Sequence, residues 1–399
     1  MKFLAKYGIG IYLLVTLVFK LNFIIPIAFT NGSYYFLMIC GLISFPFYYK
    51  SIFANKMVVK SFSVFFSINA LNLIYFLFFD RNLESSLYLL AKFAASNLIV
   101  LGVVHNYAYY KNWFIKYFKY VIFIMVILGK LFGTVEASDQ LERLSIGFNP
   151  NDVGVFGMLG VLSIISMDKL WNKKKINIFL FLFFVLITLL SGSKGALLCM
   201  VLAIFFTYGF SYRIVISSFL FLIVAYFSSN LGYVTSLERL NSEEKTFETR
   251  DEVYGAGLQT IQEHLILGHG LDKYNWTNPI YWEYPEFALG PHNAYLAVAI
   301  MYGLLFGSVF IIIIFRFLIK TFKKSFRSDD YFIRFCHFII LILLINGFFE
   351  TLIVGLNEFI TLLFWFAVGC VGYNFIVLSK NNSTKENGSK NNLNLTTRV

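Results

Sequence analysis

Three short stretches of this chain gather cations, hydroxyls, amides and glycines at spacings that suit a reactive site. They are Arg143-Leu-Ser-Ile-Gly-Phe-Asn-Pro-Asn151, Ser191-Gly-Ser-Lys-Gly195 and Pro291-His-Asn-Ala-Tyr-Leu296. Arg250 heads a fourth. An arginine offers a planar fork to phosphate oxygens, whereas a lysine such as Lys194 offers a compact point charge. An imidazole, with its ordinary pKa of about 6.5, accepts a proton at neutral pH, which makes His292 a candidate general base. Each feature also has a plain reading. A Gly, Pro and Asn cluster is a turn, an arginine at a span end snorkels to headgroups, and a lone histidine at an interface is structural.

The elements that must position these residues are membrane spans. Of 399 residues, 58% are apolar, 20% aromatic and only 14% charged, against about 25% charge in a soluble domain. Twelve helices of about 20 residues would use about 240 residues, close to the apolar fraction. Continuous apolar runs such as 179–190 exclude the weak alternation of a membrane β-barrel. The expected fold is all-α, a polytopic integral membrane protein. About twelve spans fall near 8–29, 34–49, 57–79, 84–104, 117–135, 152–168, 176–190, 196–212, 214–229, 293–318, 333–350 and 359–378.

Charge orients them. The net charge of +11 is not gathered on one face, as nucleic-acid binding would require. Lysines and arginines instead fill alternate connections: 50–60, 111–119, 169–175, Arg213, 320–327 and the tail. The positive-inside rule then puts both termini in the cytoplasm and makes the span count even. The N-terminus reads as a retained first span rather than a cleaved signal. Cys40, Cys199, Cys336 and Cys370 lie inside apolar runs without paired spacing, so they read as packing residues.

One membrane domain is therefore expected over 1–378, followed by a disordered cytoplasmic tail over 379–399. The connection 230–291 is a large extracytoplasmic loop. Within it, Phe247, Val253, Leu258, Ile261 and Leu265 recur at near-helical spacing and predict a helix lying on the membrane surface, closed by Gly268-His-Gly270. Tyr274, Trp276, Tyr281, Trp282 and Tyr284 follow, placed to stack on sugar rings or to sit at the lipid interface. Asn293 and Trp276 are candidates for substrate contacts. Lys92, deep in the fourth expected span, is a candidate for binding lipid phosphate or a packing residue, and Glu350 and Glu358 stand near the ends of the last two spans. A metal site built from His264, His269, His292, Glu263 and Asp272 fits no ligand spacing, so no metal and no cofactor is expected.

Taken together and in order, the motifs resemble those of the O-antigen polymerase and O-antigen ligase superfamily, membrane glycosyltransferases acting on lipid-linked glycans. The matching pieces are Arg143, Gly147 and Asn149-Pro-Asn151; Ser191, Lys194 and Gly195; Arg250, Gly268 and Gly270; and His292-Asn-x-x-Leu296 followed by Gly303. They cover roughly 140–310. Two departures are Lys194, where the family typically has Arg, and Phe306, where ligases often carry a smaller or polar residue. The resemblance implies a bacterial cytoplasmic-membrane enzyme working on the outer face, where a glycan must arrive already activated on undecaprenyl diphosphate. It implies that His292 takes the proton of the incoming hydroxyl while Arg250, Lys194 and Arg143 hold the diphosphate, in a metal-independent displacement with inversion. The expected function is polymerisation of lipid-linked repeat units for O-antigen, capsule or exopolysaccharide. The alternative is ligation of finished polymer to lipid A-core in lipopolysaccharide. Expected partners are the lipid-linked donor and acceptor, membrane lipids, a chain-length regulator and a flippase, with no nucleic acid. A flippase or transporter for the same lipid is the reading from another class. Such transporters usually have repeated halves with polar sites at mid-bilayer, and neither is evident here.

Overall fold

A computed structural model describes residues 1–18, 27–133, 144, 149–168, 175–209, 212–228, 237, 246–271, 292–326, 328–351, 353–355 and 358–378. Arg143, Trp276 with its aromatic neighbours, Asp272 and the tail from 379 lie outside them. Among the described residues the regular structure is helical, without strands. In chain order the helices are α1 (Lys2–Val18), α2 (Ile27–Ala54), α3 (Lys56–Ser61), α4 (Ser63–Phe79), α5 (Leu83–Phe132), α6 (Pro150–Ser163), α7 (Lys175–Leu190), α8 (Lys194–Tyr208), α9 (Tyr212–Ser228), α10 (Thr246–Glu263), α11 (Ala294–Phe326), α12 (Tyr331–Asn346) and α13 (Phe359–Tyr373). Single π-helical turns, Ile164–Asp168 and Asn374–Leu378, extend α6 and α13.

Among the described residues, five stretches are helical, long and apolar enough to cross a membrane: Asn31–Ala54, Leu83–Phe132, Pro150–Met167, Ala294–Lys323 and Phe359–Ile376. Five shorter apolar helices accompany them. The apolar surface is turned outward as well as inward. On α2, Tyr35, Phe36, Ile39, Ile43 and Phe47 are exposed; on α9, Val215, Phe219, Leu222 and Tyr226 are exposed too. Water would penalise such a surface, whereas hydrocarbon solvates it, so this is a membrane protein.

Two expected spans, 84–104 and 117–135, belong to one helical run. No loop separates them in α5; a single residue, Asn106 at φ −148° and ψ 27°, breaks it. Its side chain donates to the Lys6 carbonyl of α1 (3.3 Å). Hydropathy sees the dip around Lys111 but cannot distinguish a loop from a kink.

The centre is α6, where every residue from Val153 to Ser163 is buried. Glycines let it lie directly on α7. A Cβ at Gly157 would fall 2.3 Å from the Thr188 hydroxyl, and one at Gly160 would fall 2.4 Å from the Phe184 ring. This small-residue contact is the usual means of close helix approach in a bilayer. It fixes the N-terminus of α6, which carries the Asn-Pro-Asn motif.

The loop helix α10 forms, but its buried face differs from the expected stripe. Val253, Ala256, Thr260 and Ile261 are buried, while Leu258 and Leu265 are exposed. Leu258 stands roughly 140° round the helix from Val253, which accounts for its exclusion from that face. After α10 the chain docks into a break in α11. Gly303, at φ 64° and ψ −177°, interrupts the helix and releases backbone groups on both sides. His269 N–H and Gly270 N–H donate to the carbonyls of Ile300 (2.8 Å) and Met301 (3.0 Å), and Leu304 N–H and Leu305 N–H donate to those of Leu265 (2.8 Å) and Ile266 (3.2 Å). Backbone inside a membrane protein must find such partners. From α4, the Tyr75 hydroxyl bonds the carbonyls of Leu267 (2.6 Å) and Met301 (3.0 Å), and Asp80 accepts from Leu271 N–H (2.6 Å).

Candidate active site

The Asn-Pro-Asn turn builds the start of α6. Asn149 caps it, its side chain accepting from Asn151 N–H (2.9 Å), and Pro150 occupies the first turn, where no amide hydrogen is missed. From the first turn of α6, Asn151 Nδ2 donates to Oε1 of Glu350 at 2.6 Å. The other carboxylate oxygen, Oε2, lies 3.4 Å from Nδ1 of His292. Asn151, Glu350 and His292 thus form one chain of polar contacts linking α6, the turn after α12 and the entrance to α11. Their side chains stay reachable: those of His292 and Glu350 are 33% and 19% exposed.

His292 reaches this position through an unusual backbone. It is the one non-glycine residue with positive φ (43°) among the described residues. Asn293 follows as the helix cap, accepting from Tyr295 N–H (2.9 Å) and Leu296 N–H (3.1 Å). Ala294 N–H donates to the Gly347 carbonyl (2.7 Å), so the first turn of α11 is tied to the turn that carries Glu350. Asn293, expected to touch substrate, has this structural task; its Nδ2 also reaches the Phe348 carbonyl at 3.4 Å.

Residues beside Lys194 and Arg250 approach the same turn. Ser193 caps α8, placing Lys194 half-buried in its first turn. A Cβ at the adjacent Gly195 would fall 2.9 Å from Asn346 Oδ1 and 3.0 Å from the Phe349 ring. Arg143 lies outside the described residues, but its neighbour Leu144 donates to the Leu190 carbonyl (2.9 Å), just before Ser191. Arg250 belongs to the first turns of α10. One turn further on, Tyr254 donates through its hydroxyl to the Phe348 carbonyl (3.1 Å). The motifs therefore converge on residues 346–350.

Lys92 is elsewhere. Its ammonium donates to the Gly355 carbonyl (2.8 Å) and stands over the rings of Tyr88 (5.6 Å) and Trp365 (5.8 Å). His264 and His269 meet edge to face at 4.6 Å, with His269 Nε2 2.6 Å from the Thr260 carbonyl. Among the described residues no group of three His, Cys, Asp or Glu side chains converges as metal ligands would.

A carboxylate on one imidazole nitrogen sets the tautomer and leaves the other nitrogen to exchange a proton. The spacing of 3.4 Å is looser than a formed hydrogen bond, as is common before substrate binds. Sequence reading found both ends of the Asn151–Glu350–His292 chain but did not place Glu350 between them. The signal was an acidic residue at the end of an apolar span, where ionisable groups are rarely idle.

No curated protein matches the chain. Residues 178–312 match the family model described as O-antigen ligase. That segment includes the Ser191 turn, α10, His292 and the Gly303 break, and over it the chain is similar to the O-antigen ligase family.

Proposed function

We propose that this protein is a membrane glycosyltransferase that moves a glycan from one polyprenyl diphosphate to a lipid-linked repeat unit, lengthening a surface polysaccharide on the outer side of the cytoplasmic membrane. The observation that carries this reading is the contact chain from Asn151 through Glu350 to His292. It joins residues far apart in sequence, and Gly195 and Tyr254, neighbours of Lys194 and Arg250 in their helices, pack against the turn that carries Glu350.

In the proposed reaction the acceptor hydroxyl oxygen attacks the anomeric carbon of the donor. Its proton passes to the imidazole nitrogen of His292 that does not face Glu350. The bond from the anomeric carbon to the diphosphate oxygen breaks, and the electron pair leaves with the diphosphate. Attack from the face opposite the leaving group inverts the anomeric centre. Glu350 holds the ring and stabilises the imidazolium as it forms, while Asn151 keeps the carboxylate in place. Arg250, Lys194 and Arg143 offset the negative charge that grows on the diphosphate. A diphosphate leaves without protonation by a strong acid, so one base and several cations suffice.

Transfer of finished polymer to lipid A-core is the second reading, favoured by the description of the matched family. The two differ in acceptor, not in donor chemistry. In cells lacking the chromosomal copy, the wild-type gene is expected to restore long polymer on the lipid-diphosphate carrier. His292→Ala, at equal protein level, should accumulate the single repeat unit on that carrier. Polymer that lengthens normally but stays unattached to lipid A-core without this protein would establish the ligase reading instead.

A further inference from the structure

Three successive backbone carbonyls beyond Glu350 are each held by a side chain from another helix. Trp365 Nε1 of α13 donates to the Ile353 carbonyl at 3.2 Å. The Tyr88 hydroxyl of α5 donates to the Val354 carbonyl at 3.1 Å, and the Lys92 ammonium, one turn further along α5, donates to the Gly355 carbonyl at 2.8 Å. Ile353 and Val354 are buried, at 0% and 1% exposure. A buried non-helical segment needs such donors, because its carbonyls have no helical partners. The other end of the same connection is fastened through Ala294 N–H to Gly347 and Tyr254 to Phe348. Glu350 sits between the two fastenings.

Lys92 is the charged member of the second fastening. Its ammonium is stacked between aromatic faces and acted on by the Glu358 carboxylate. Beside it lies a small, partly open cavity of about 30 Å³, lined by Asn69, Asn72, Ser96, Tyr302 and Thr361 among others. Asn72 is fully buried and its Nδ2 has no partner, nor has Asn69 Oδ1. That space suits one or two waters. A half-buried charge within a membrane helix is costly to maintain, so a working role for it is favoured.

We infer that Lys92 is a positioning residue: with Tyr88 and Trp365 it clamps the 353–355 backbone and so fixes where Glu350 meets His292. This rests on the site proposed above. It replaces the expectation that Lys92 binds lipid phosphate, and it predicts that Lys92 acts on the reaction only through Glu350.

A double-mutant cycle on the full-length protein in liposomes tests this, with initial transfer rates measured at several concentrations of the lipid-diphosphate donor. Lys92→Met should lower kcat about tenfold and leave KM for the donor unchanged. Tyr88→Phe, which removes only a hydroxyl, should act in the same direction to a smaller extent. In a Glu350→Gln background neither should cause further loss, because the group being positioned is gone. Lys92→Arg should recover most of the rate, since it keeps the charge and the donor and has the neighbouring cavity to occupy. Losses that multiply with Glu350→Gln, or a raised donor KM at unchanged kcat, would overturn the clamp and leave the His292 site standing. Wild-type rates in both Glu350→Gln and His292→Ala would remove the proposed site itself and the clamp with it.

Discussion

His292 occupies the left-handed backbone region at φ 43°, a conformation that costs a residue with a Cβ about 1–3 kcal/mol. Its surroundings hold it there through the Asn293 cap and the Ala294–Gly347 bond. The energy spent on that backbone brings the imidazole to Glu350. Replacing His292 with Ala is expected to lower the transfer rate about a hundred- to ten-thousand-fold with normal insertion in the membrane, whereas Ala at His264 or His269 should lower it far less. Arg250 and Lys194 are separated by a second measurement. If Arg250 holds the diphosphate by its fork, Arg250→Lys should lose most of the donor turnover though charge is kept, and Lys194→Arg should be tolerated; full activity in Arg250→Lys would remove the fork. His292, Asn151, Lys194 and Arg250 stand out in the sequence by type and by neighbouring turn residues, and the structure joins His292 and Asn151 through Glu350. Glu350 was recognisable only as an acid near a span end. Its partners are 58 and 199 residues away, and sequence spacing carries no information about which helix ends meet.

Gly303 shows what the elements contribute. A Cβ there would fall 2.3 Å from the Ile266 carbonyl oxygen, and the backbone is at φ 64°, so Gly303→Ala is strained by conformation and by contact together. The expected result is release of the end of α10 from α11. Limited proteolysis between 246 and 271 should become faster, and transfer should fall about tenfold or more as α10 and the entrance to α11 lose their alignment. Gly157→Leu acts on the other support. With the Thr188 hydroxyl already 2.3 Å from a Cβ position, α6 would be pushed off α7, and little folded protein should survive detergent extraction. The loop helix and the glycine turn after it were readable from periodicity and turn chemistry, while Gly303 entered only through the family resemblance, inside an unbroken expected span over 293–318. The kink at Asn106 and the exchange of backbone bonds across Gly303 were not, because hydropathy averages over about one span and reports burial in lipid rather than continuity of the helix. The same averaging hid the orientation of α10, whose exposed Leu258 and Leu265 resemble its buried residues in type.

For the molecule as a whole, composition identified an all-helical membrane protein, and the outward-facing apolar side chains of α2 and α9 agree with it. Orientation rests on the lysines and arginines and has its own test. Single cysteines at Ser242 and Lys273 in an otherwise cysteine-free protein should react with an impermeant maleimide in intact cells or spheroplasts, and one at Lys324 should not; labelling at Lys324 would place the site on the opposite side. The central claim is that bonds are broken and made at this site rather than a lipid merely moved. The most direct measurement gives the purified protein in liposomes a single lipid-diphosphate-linked repeat unit and no nucleotide sugar, and follows both glycan and carrier. The account predicts glycan of two or more units on the lipid, one free polyprenyl diphosphate released per linkage formed, and loss of both in His292→Ala. Movement of intact donor between leaflets with no free polyprenyl diphosphate would contradict it.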